Sequence, residues 1–264
     1  MLETLTNLLP LQLDYFLLLM LRVSALIFTS PIFGRRNIPP MVKIGFCLVL
    51  TYILYVTYPP KEALQYGHVL VFAFMCIKEL VFGLILGFVT TAFFNLVFTS
   101  GQIIDMHMGF GMAGVMDVQS ETQVPMVGNL LNIVLVIVFF GVNGHQQLIS
   151  MLSATVKQIP LGQVAISPDI AFVAAEVFAL TFLLAVNVAM PVIAAALLGE
   201  ATMGILLRTV PQMNVFVVGI PVKIIIGLAM LLFMMPVYVG FTGTIFTNMF
   251  SSIEKLFSGL IGAV

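Results

Sequence analysis

Charged residues are scarce in this chain: only 8% of its 264 residues are Asp, Glu, Lys or Arg, whereas 61% are hydrophobic. A soluble domain carries about 25% charged residues, so this chain cannot cover itself with an ordinary aqueous surface. It is therefore an integral membrane protein or a subunit enclosed by apolar neighbours. The formal net charge of -1 provides no basic patch, so we expect no nucleic-acid partner.

Tryptophan is absent, and the two cysteines, Cys47 and Cys76, lie inside apolar runs. A free cysteine in such a place behaves as a small hydrophobic residue, so we expect no disulfide. Residues 1–7 contain no Lys or Arg, which argues against a cleaved signal peptide, because such peptides begin with a basic region.

Catalytic motifs are also lacking. His145 has no His-Glu-x-x-His partner, so a zinc protease site is not supported. Asp105 and Asp117 could form a carboxylate pair, but they stand in a Gly- and Met-rich stretch without the context of an aspartyl protease. We expect a protein that is not an enzyme and that binds no metal or cofactor.

Long apolar runs dominate what is present and predict an all-α membrane-protein fold. The run 69–100 would extend about 48 Å as a helix, which exceeds the hydrocarbon thickness of about 30 Å. Tilt, kinks at Gly83, Gly87, Pro191 or Pro236, or extension beyond the bilayer would each absorb the excess. The six runs are 11–33, 41–58, 69–100, 126–142, 170–198 and 215–250.

A shorter segment, 145–159, has apolar residues on one helical face and polar residues opposite. This spacing predicts an amphipathic helix. Such a helix would lie on the membrane surface or cover a neighbouring subunit.

The stretch 101–125 is rich in methionine and glycine, and we predict that it forms a loop. Because it is apolar, we expect this stretch to be covered rather than exposed to water. Methionine side chains also repack easily around irregular shapes. It is either a deformable seal around passing cargo or a connector packed in its own core. The candidate seal residues are Met106, Met108, Phe110, Met112 and Met116.

The segment 199–223 is a polar, proline-containing hinge between two apolar runs. Its polar and charged residues include Glu200, Arg208, Gln212, Asn214 and Lys223. A charge near hydrocarbon costs roughly 2.5–3.5 kcal/mol on insertion scales, so these residues indicate partners, a loop outside the bilayer, or both.

A secondary transporter is the rival interpretation, because transporters place ionisable groups on broken helices near the bilayer midplane. The alternative is that these groups make polar contacts between helices within an assembly. The residues concerned are Lys78, Glu79, Asn95, Glu176 and Asn187.

Several ordered motifs resemble the FliR family of the flagellar type III protein export apparatus, which is related to the SctT subunits of injectisomes. The N-terminal motifs are Arg22, Ser30-Pro31-Ile32-Phe33-Gly34, Ile38-Pro39 and Val42-Lys43. The central ones are Gly101-Gln102, Met108-Gly109, Asp117, Asn143-Gly144-His145 and Ile159-Pro160-Leu161-Gly162. The most specific are Gly204, Leu207-Arg208, Pro211-Gln212, Asn214-Val215-Phe216 and Pro221-Val222-Lys223. The Asn-Gly-His element and the run from Arg208 to Asn214 favour the flagellar over the injectisome type.

The resemblance implies a single export-gate domain over 1–264, built from long kinked helices and helical hairpins. Residues 1–198 would be FliP-like, and 170–264 would form a FliQ-like hairpin. A plug loop at 106–121 would close the pore, and the helices would sit largely above the plane of the bilayer.

The resemblance also implies partners and a location. FliP and FliQ homologues would share a pore in the bacterial inner membrane, within the flagellar basal body. A FlhB homologue would contact the cytoplasmic loops, lipid would surround the assembly, and unfolded flagellar proteins would be the cargo. The expected subunit contacts are Asn143, His145, Arg208, Gln212, Asn214 and Lys223.

Overall fold

The computed structural model describes residues 2–60, 64, 66–110, 125–164, 169–209 and 215–261. Seven helices account for most of these described residues, and no strand occurs among them. They are α1 (Leu2–Thr29), α2 (Pro40–Thr57), α3 (Val69–Met108), α4 (Met126–Gly141), α5 (Gly144–Gln158), α6 (Asp169–Thr209) and α7 (Val215–Ile261). The predicted all-α class is confirmed.

Each of the six apolar runs forms a helix, and prolines mark two of the starts. Pro40 is the first residue of α2, and Pro125 directly precedes α4. Proline suits these positions because its fixed φ matches the helix and its missing N–H would have no partner there. The predicted runs 41–58 and 126–142 agree with the bounds of α2 and α4 to within one residue.

Helix α3 extends further than expected. We predicted a loop from residue 101, but the helix continues through Met108, so the prediction is wrong for 101–108. Gly109 then adopts a positive φ of 85°, which suits a residue without a Cβ at the end of a helix. Packing against other helices overrides the glycines and polar residues that suggested a loop.

Helices α2, α3, α6 and α7 contain windows long and apolar enough to cross a membrane. Among the described residues these four are Pro40–Thr57, Val69–Met108, Ile170–Leu206 and Val218–Phe257, and a fifth arises if α4 and α5 together form one broken span. Large hydrophobic side chains on these helices stay exposed in the single chain, including Met41 at 81% and Phe233 at 77%. The chain is a membrane protein whose apolar surface requires lipid or partner subunits.

The chain divides into two compact units that interleave along the sequence. Unit 1 comprises Met1–Ala92, Asn143–Val177 and Asn248–Val264, whereas unit 2 comprises Phe93–Val142 and Phe178–Thr247. Helices α3, α6 and α7 contribute residues to both. The FliP-like and FliQ-like division suggested by the resemblance stays a prediction.

In unit 1, two glycines of α3 allow a close approach to α1. A Cβ at Gly83 would lie 2.5 Å from the carbonyl oxygen of Arg22, and one at Gly87 would lie 2.5 Å from Cβ of Thr29. The helix is not interrupted at either glycine. Both glycines serve close packing against α1, and the kink suggested for these positions stays a prediction.

Tyrosines of unit 1 hold α1 to later parts of the chain. The hydroxyl of Tyr15 donates to the carbonyl oxygen of Tyr58 at 3.2 Å, and Ser153 donates to the Tyr58 hydroxyl at 3.0 Å. Tyr66, which precedes α3, donates to the carboxylate of Asp14. This hydrogen bond raises the pKa of Tyr66 above its ordinary value, because it stabilises the protonated hydroxyl.

In unit 2, an aromatic cluster joins α3, α4 and α7. The ring centroids of Phe94 and Phe139 are 5.4 Å apart, and those of Phe139 and Phe246 are 5.3 Å apart, both pairs at steep angles. The buried hydroxyl of Tyr238 donates to the carbonyl oxygen of Leu131 at 3.0 Å. These contacts hold α3 to α4 and α7, the helices that also contact the end of α3.

Candidate functional site

The end of α3 places the predicted seal residues in different environments. Met106 is 72% exposed, whereas Met108 is fully buried. Phe110 is partly buried just beyond the helix. Met112 and Met116 lie outside the described residues. The helix thus separates Met106 and Met108, because residues two apart point to different sides of a helix.

The buried side of this helix end contacts α4 and α7 within unit 2. A Cβ at Gly101 would lie 2.2 Å from both Cα and N of Gly128. The carboxylate of Asp105 accepts a hydrogen bond from the backbone N–H of Val127 at 3.3 Å. A Cβ at Gly227 of α7 would lie 2.5 Å from Cγ of Met108. Backbone packing, a carboxylate and a methionine therefore hold the helix end in place.

A second feature, in unit 1, is an ion pair with no exposed surface on either side chain. Nε of Arg22 in α1 lies 2.6 Å from Oε2 of Glu79 in α3. A second donation, from Nη2 to Oε1, is 3.2 Å long. The two-pronged geometry matches the fork of a guanidinium to a carboxylate.

Arg22 also binds the end of α5. Its Nη1 donates to the carbonyl oxygens of Thr155 at 3.2 Å and Ile159 at 3.3 Å. The last carbonyl groups of a helix have no partner within it and carry a partial negative charge. The guanidinium is a second donor to the carbonyl oxygen of Thr155, which already accepts from the N–H of Ile159, and it also donates to the carbonyl oxygen of Ile159 just after the helix. It lies 4.7 Å from the ring centroid of Phe82.

Glu79 binds the turn that follows α5. Its Oε1 accepts a hydrogen bond from the N–H of Gly162 at 2.7 Å, and Gly162 has a positive φ of 81°. We call Arg22 and Glu79, with their partners Thr155, Ile159 and Gly162, the ionic clamp. The Ile-Pro-Leu-Gly turn after α5 has a physical role in this clamp. It brings the carbonyl oxygen of Ile159 to Arg22 and the N–H of Gly162 to Glu79.

Sequence reasoning missed the ionic clamp. Arg22 and Glu79 are 57 positions apart, so no local spacing links them. The available signal was a single arginine in the first apolar run and a glutamate in the third, because opposite charges in hydrocarbon tend to pair. Glu79 was instead considered as part of a transport site, and it proves to be an interhelical contact within this chain.

The predicted hinge contains an ion pair between α6 and α7. Nζ of Lys223 lies 2.5 Å from Oε1 of Glu200, and the two side chains are 31% and 43% exposed. Arg208 is exposed in the last turn of α6. Gln212 and Asn214 lie outside the described residues.

An apolar groove of about 460 Å³ lies beside this ion pair, within unit 2. Small residues on α6 leave the space open. The lining residues are Ala195, Leu198, Gly199, Thr202, Met203, Leu206, Val218, Val222 and Ile226.

Two further predicted contact residues lie at the start of α5. Asn143 is exposed and has a positive φ of 56°, a conformation in which asparagine is enriched. His145 is partly buried in the first turn of α5.

The predicted amphipathic helix is confirmed as α5. Its buried residues Leu148, Leu152 and Val156 share one face, and that face is covered by this chain itself. It is therefore not available to the membrane surface or to a neighbouring subunit, the two placements that we had expected.

Within the described part of the chain, no group of three or more His, Cys, Asp or Glu side chains is arranged to hold a metal ion. Glu176, another residue considered for transport, forms an ion pair with Lys255 at 2.8 Å, and both side chains are more than half exposed. Glu79 and Glu176 thus each pair with a basic side chain of another helix.

Comparison with known proteins gives concordant matches over most of the chain. The profile of the family described as "Bacterial export proteins, family 1" matches residues 13–249. The flagellar biosynthetic protein FliR of Bacillus subtilis is 33% identical over 94% of this chain and 95% of its own length. The proteins of the same name from Escherichia coli and Aquifex aeolicus are each 29% identical, over 91% and 87% of this chain and 92% and 86% of their own lengths.

Proposed function

The chain belongs to family 1 of the bacterial export proteins, and from that membership we propose that it is a membrane component of a flagellar protein export apparatus. The observation that carries the proposal is the similarity to flagellar biosynthetic proteins over more than nine-tenths of the chain. The proposed location is the inner membrane at the flagellar basal body.

The proposed activity is that of a pore-forming subunit that conducts unfolded flagellar proteins. Its partners would be FliP and FliQ homologues around a shared pore and a FlhB homologue near the hinge. The exposed apolar side chains on α2, α6 and α7 support an assembled subunit, because a contiguous apolar surface requires a lipid or protein cover.

The proposed seal is the methionine-rich segment that begins at Met106. An exposed methionine at a helix end, followed by Gly109 and Phe110, supports this assignment, because flexible apolar side chains can close around cargo of varied shape. The seal would prevent ions from leaking when no cargo is present.

Two rival functions have less support. A solute transporter would use its ionisable groups for binding, but Glu79 is held on all sides by the ionic clamp and Glu176 pairs with Lys255. An injectisome role is disfavoured because the relatives reported above carry flagellar names.

The proposal is tested by the mass of the complex after gentle extraction from the membrane. We expect a hetero-oligomer that contains FliP and FliQ homologues, and we expect it to be lost when the FliP homologue is deleted. A monomer or dimer that binds a small solute would contradict the proposed function.

A further inference from the structure

The inner face of the α3 end combines three buried residues at helical spacing. Gly101, Asp105 and Met108 stand at positions i, i+4 and i+7, and all three are buried. Residues at this spacing lie on one side of a helix. The opposite side carries the exposed Met106. The end of α3 therefore has a buried side, which we call the fixed side, and an exposed side.

The fixed side of α3 lies against the start of α4, on the two sides of residues 111–124. Helix α3 ends at Met108, and α4 begins at Met126, directly after Pro125. Asp105 is three residues before Met108, and its carboxylate accepts from Val127, in the first turn of α4. Gly101 and Gly128 touch one turn earlier along α3. The described helices on either side of residues 111–124 are thus held together.

Asp105 supplies a cap that α4 otherwise lacks. The residue before α4 is Pro125, and it makes no capping hydrogen bond with its side chain. The first N–H groups of a helix have no partner within it, and a carboxylate there is favoured by the helix dipole. An acceptor on α3 therefore stabilises the start of α4, although the two helices are separate in sequence.

We propose that Gly101, Asp105 and Met108 form a root that positions the sealing segment, and that Met108 belongs to this root rather than to the seal. The inference rests on the proposed function. Asp105 is a positioning residue that holds α4 to α3, and Met108 locks the helix end against Gly227. Of the candidate seal residues that the structure describes, Met106 and Phe110 remain to contact cargo.

The geometry favours this division over a seal made of all the methionines. A residue that closes around cargo must reach the pore and be able to move. Met108 has no exposed surface, and a single added carbon at Gly227 would already collide with its side chain. Interiors packed this closely do not accommodate movement easily.

The test measures closed-state ion conductance of the reconstituted export complex, with complex mass measured in parallel. Asp105→Leu removes the acceptor but keeps a branched side chain, and Asp105→Asn keeps an oxygen that accepts the same hydrogen bond. We expect Asp105→Leu to raise the leak about tenfold, the order expected when a buried donor loses its partner, while Asp105→Asn behaves as the unmodified protein. Wild-type conductance for an assembled Asp105→Leu complex would overturn the root.

A second variant removes the same hydrogen bond from the donor side. Val127→Pro eliminates the N–H in the first turn of α4, where proline is tolerated, and we expect the same leak. It decides the outcome if Asp105→Leu does not assemble. If neither variant assembles, the contact serves folding alone and the inference is overturned.

Met106→Ser separates the two hypotheses. If Met106→Ser leaks but the Asp105 and Val127 variants do not, the root inference fails while the proposed seal stands. If none of the assembled variants leaks, the seal itself is contradicted.

Discussion

The ionic clamp of unit 1 and the root of unit 2 fix helices by opposite means. The clamp uses two fully buried charges, a bidentate ion pair and three hydrogen bonds to the backbone around the end of α5. The root uses a glycine contact, a hydrogen bond from the backbone of α4 to Asp105, and a buried methionine. The clamp is thus strongly directional, whereas the root depends on close packing.

The clamp and the root should differ in how much stability they lose when a contact is disturbed. A buried charge that loses its partner is very costly, so the clamp is either complete or broken. A packed apolar contact loses its favourable dispersion energy gradually, because each pair of atoms contributes only a small amount. We therefore expect the root to yield to smaller perturbations than the clamp.

The largest expected effect comes from breaking one half of the clamp. Glu79→Leu leaves the Arg22 charge buried and should destabilise the chain by about 3–5 kcal/mol, as should Arg22→Met. The double variant should lose less than the sum, because no uncompensated charge remains. The measurement is the thermal stability of the gently extracted complex.

The matched control for the clamp is Glu176→Gln, which breaks an exposed ion pair in the same unit. It should shift stability little. If Glu79→Leu were as mild as this control, the contrast between the clamp and the root would disappear.

The second-largest loss of stability is expected at Met108, in contrast to Met106. Met108→Ala opens a cavity in unit 2 and should cost about 2–5 kcal/mol, whereas Met106→Ala should leave stability nearly unchanged because its side chain is exposed. Thermal unfolding of both variants provides the comparison. Equal losses would mean that the two sides of the α3 end do not differ.

The glycine contact should rank third. Gly101→Ala places a Cβ against the backbone of Gly128, which cannot move aside as a flexible side chain would. We expect a loss of about 1–3 kcal/mol from overpacking. Gly243→Ala, in the same unit and with open space around its Cβ, is the control and should be neutral or slightly stabilising. A neutral Gly101→Ala in the same assay would refute the close contact.

The smallest effect is expected at the hinge. Lys223→Met breaks a partly exposed ion pair with Glu200, and such pairs contribute about 0.2–1 kcal/mol. Stability should therefore change little, while cross-linking to a FlhB homologue should fall if the hinge is its docking site. A hinge that cross-links only to lipid would count against that partner.

The sequence predicted the helical class, the membrane character and the amphipathic α5, because each depends on composition or on helical periodicity. It did not predict that α3 continues through Met108. The glycines and polar residues after Ser100 suggest a loop, and only the contacts to Gly128, Val127 and Gly227 show why the helix persists.

For a similar reason, the opposite charges in two apolar runs could only suggest the clamp, and the sequence did not identify its backbone partners. Its members come from α1, α3 and the turn after α5, and their proximity results from the packing of unit 1. The glycines at 83 and 87 show the same limit, since their spacing is equally consistent with a kink and with the close approach to α1 that the structure has.

The most direct test of the account is the closed-state conductance of the reconstituted complex with Met106→Ser and Phe110→Ser combined. Met41→Ser, which changes an exposed methionine in α2, serves as the control. The account predicts an ion leak for the combined variant and none for the control, with both complexes of normal mass. An intact complex that stays closed to ions despite the combined change would contradict the sealing role of this segment.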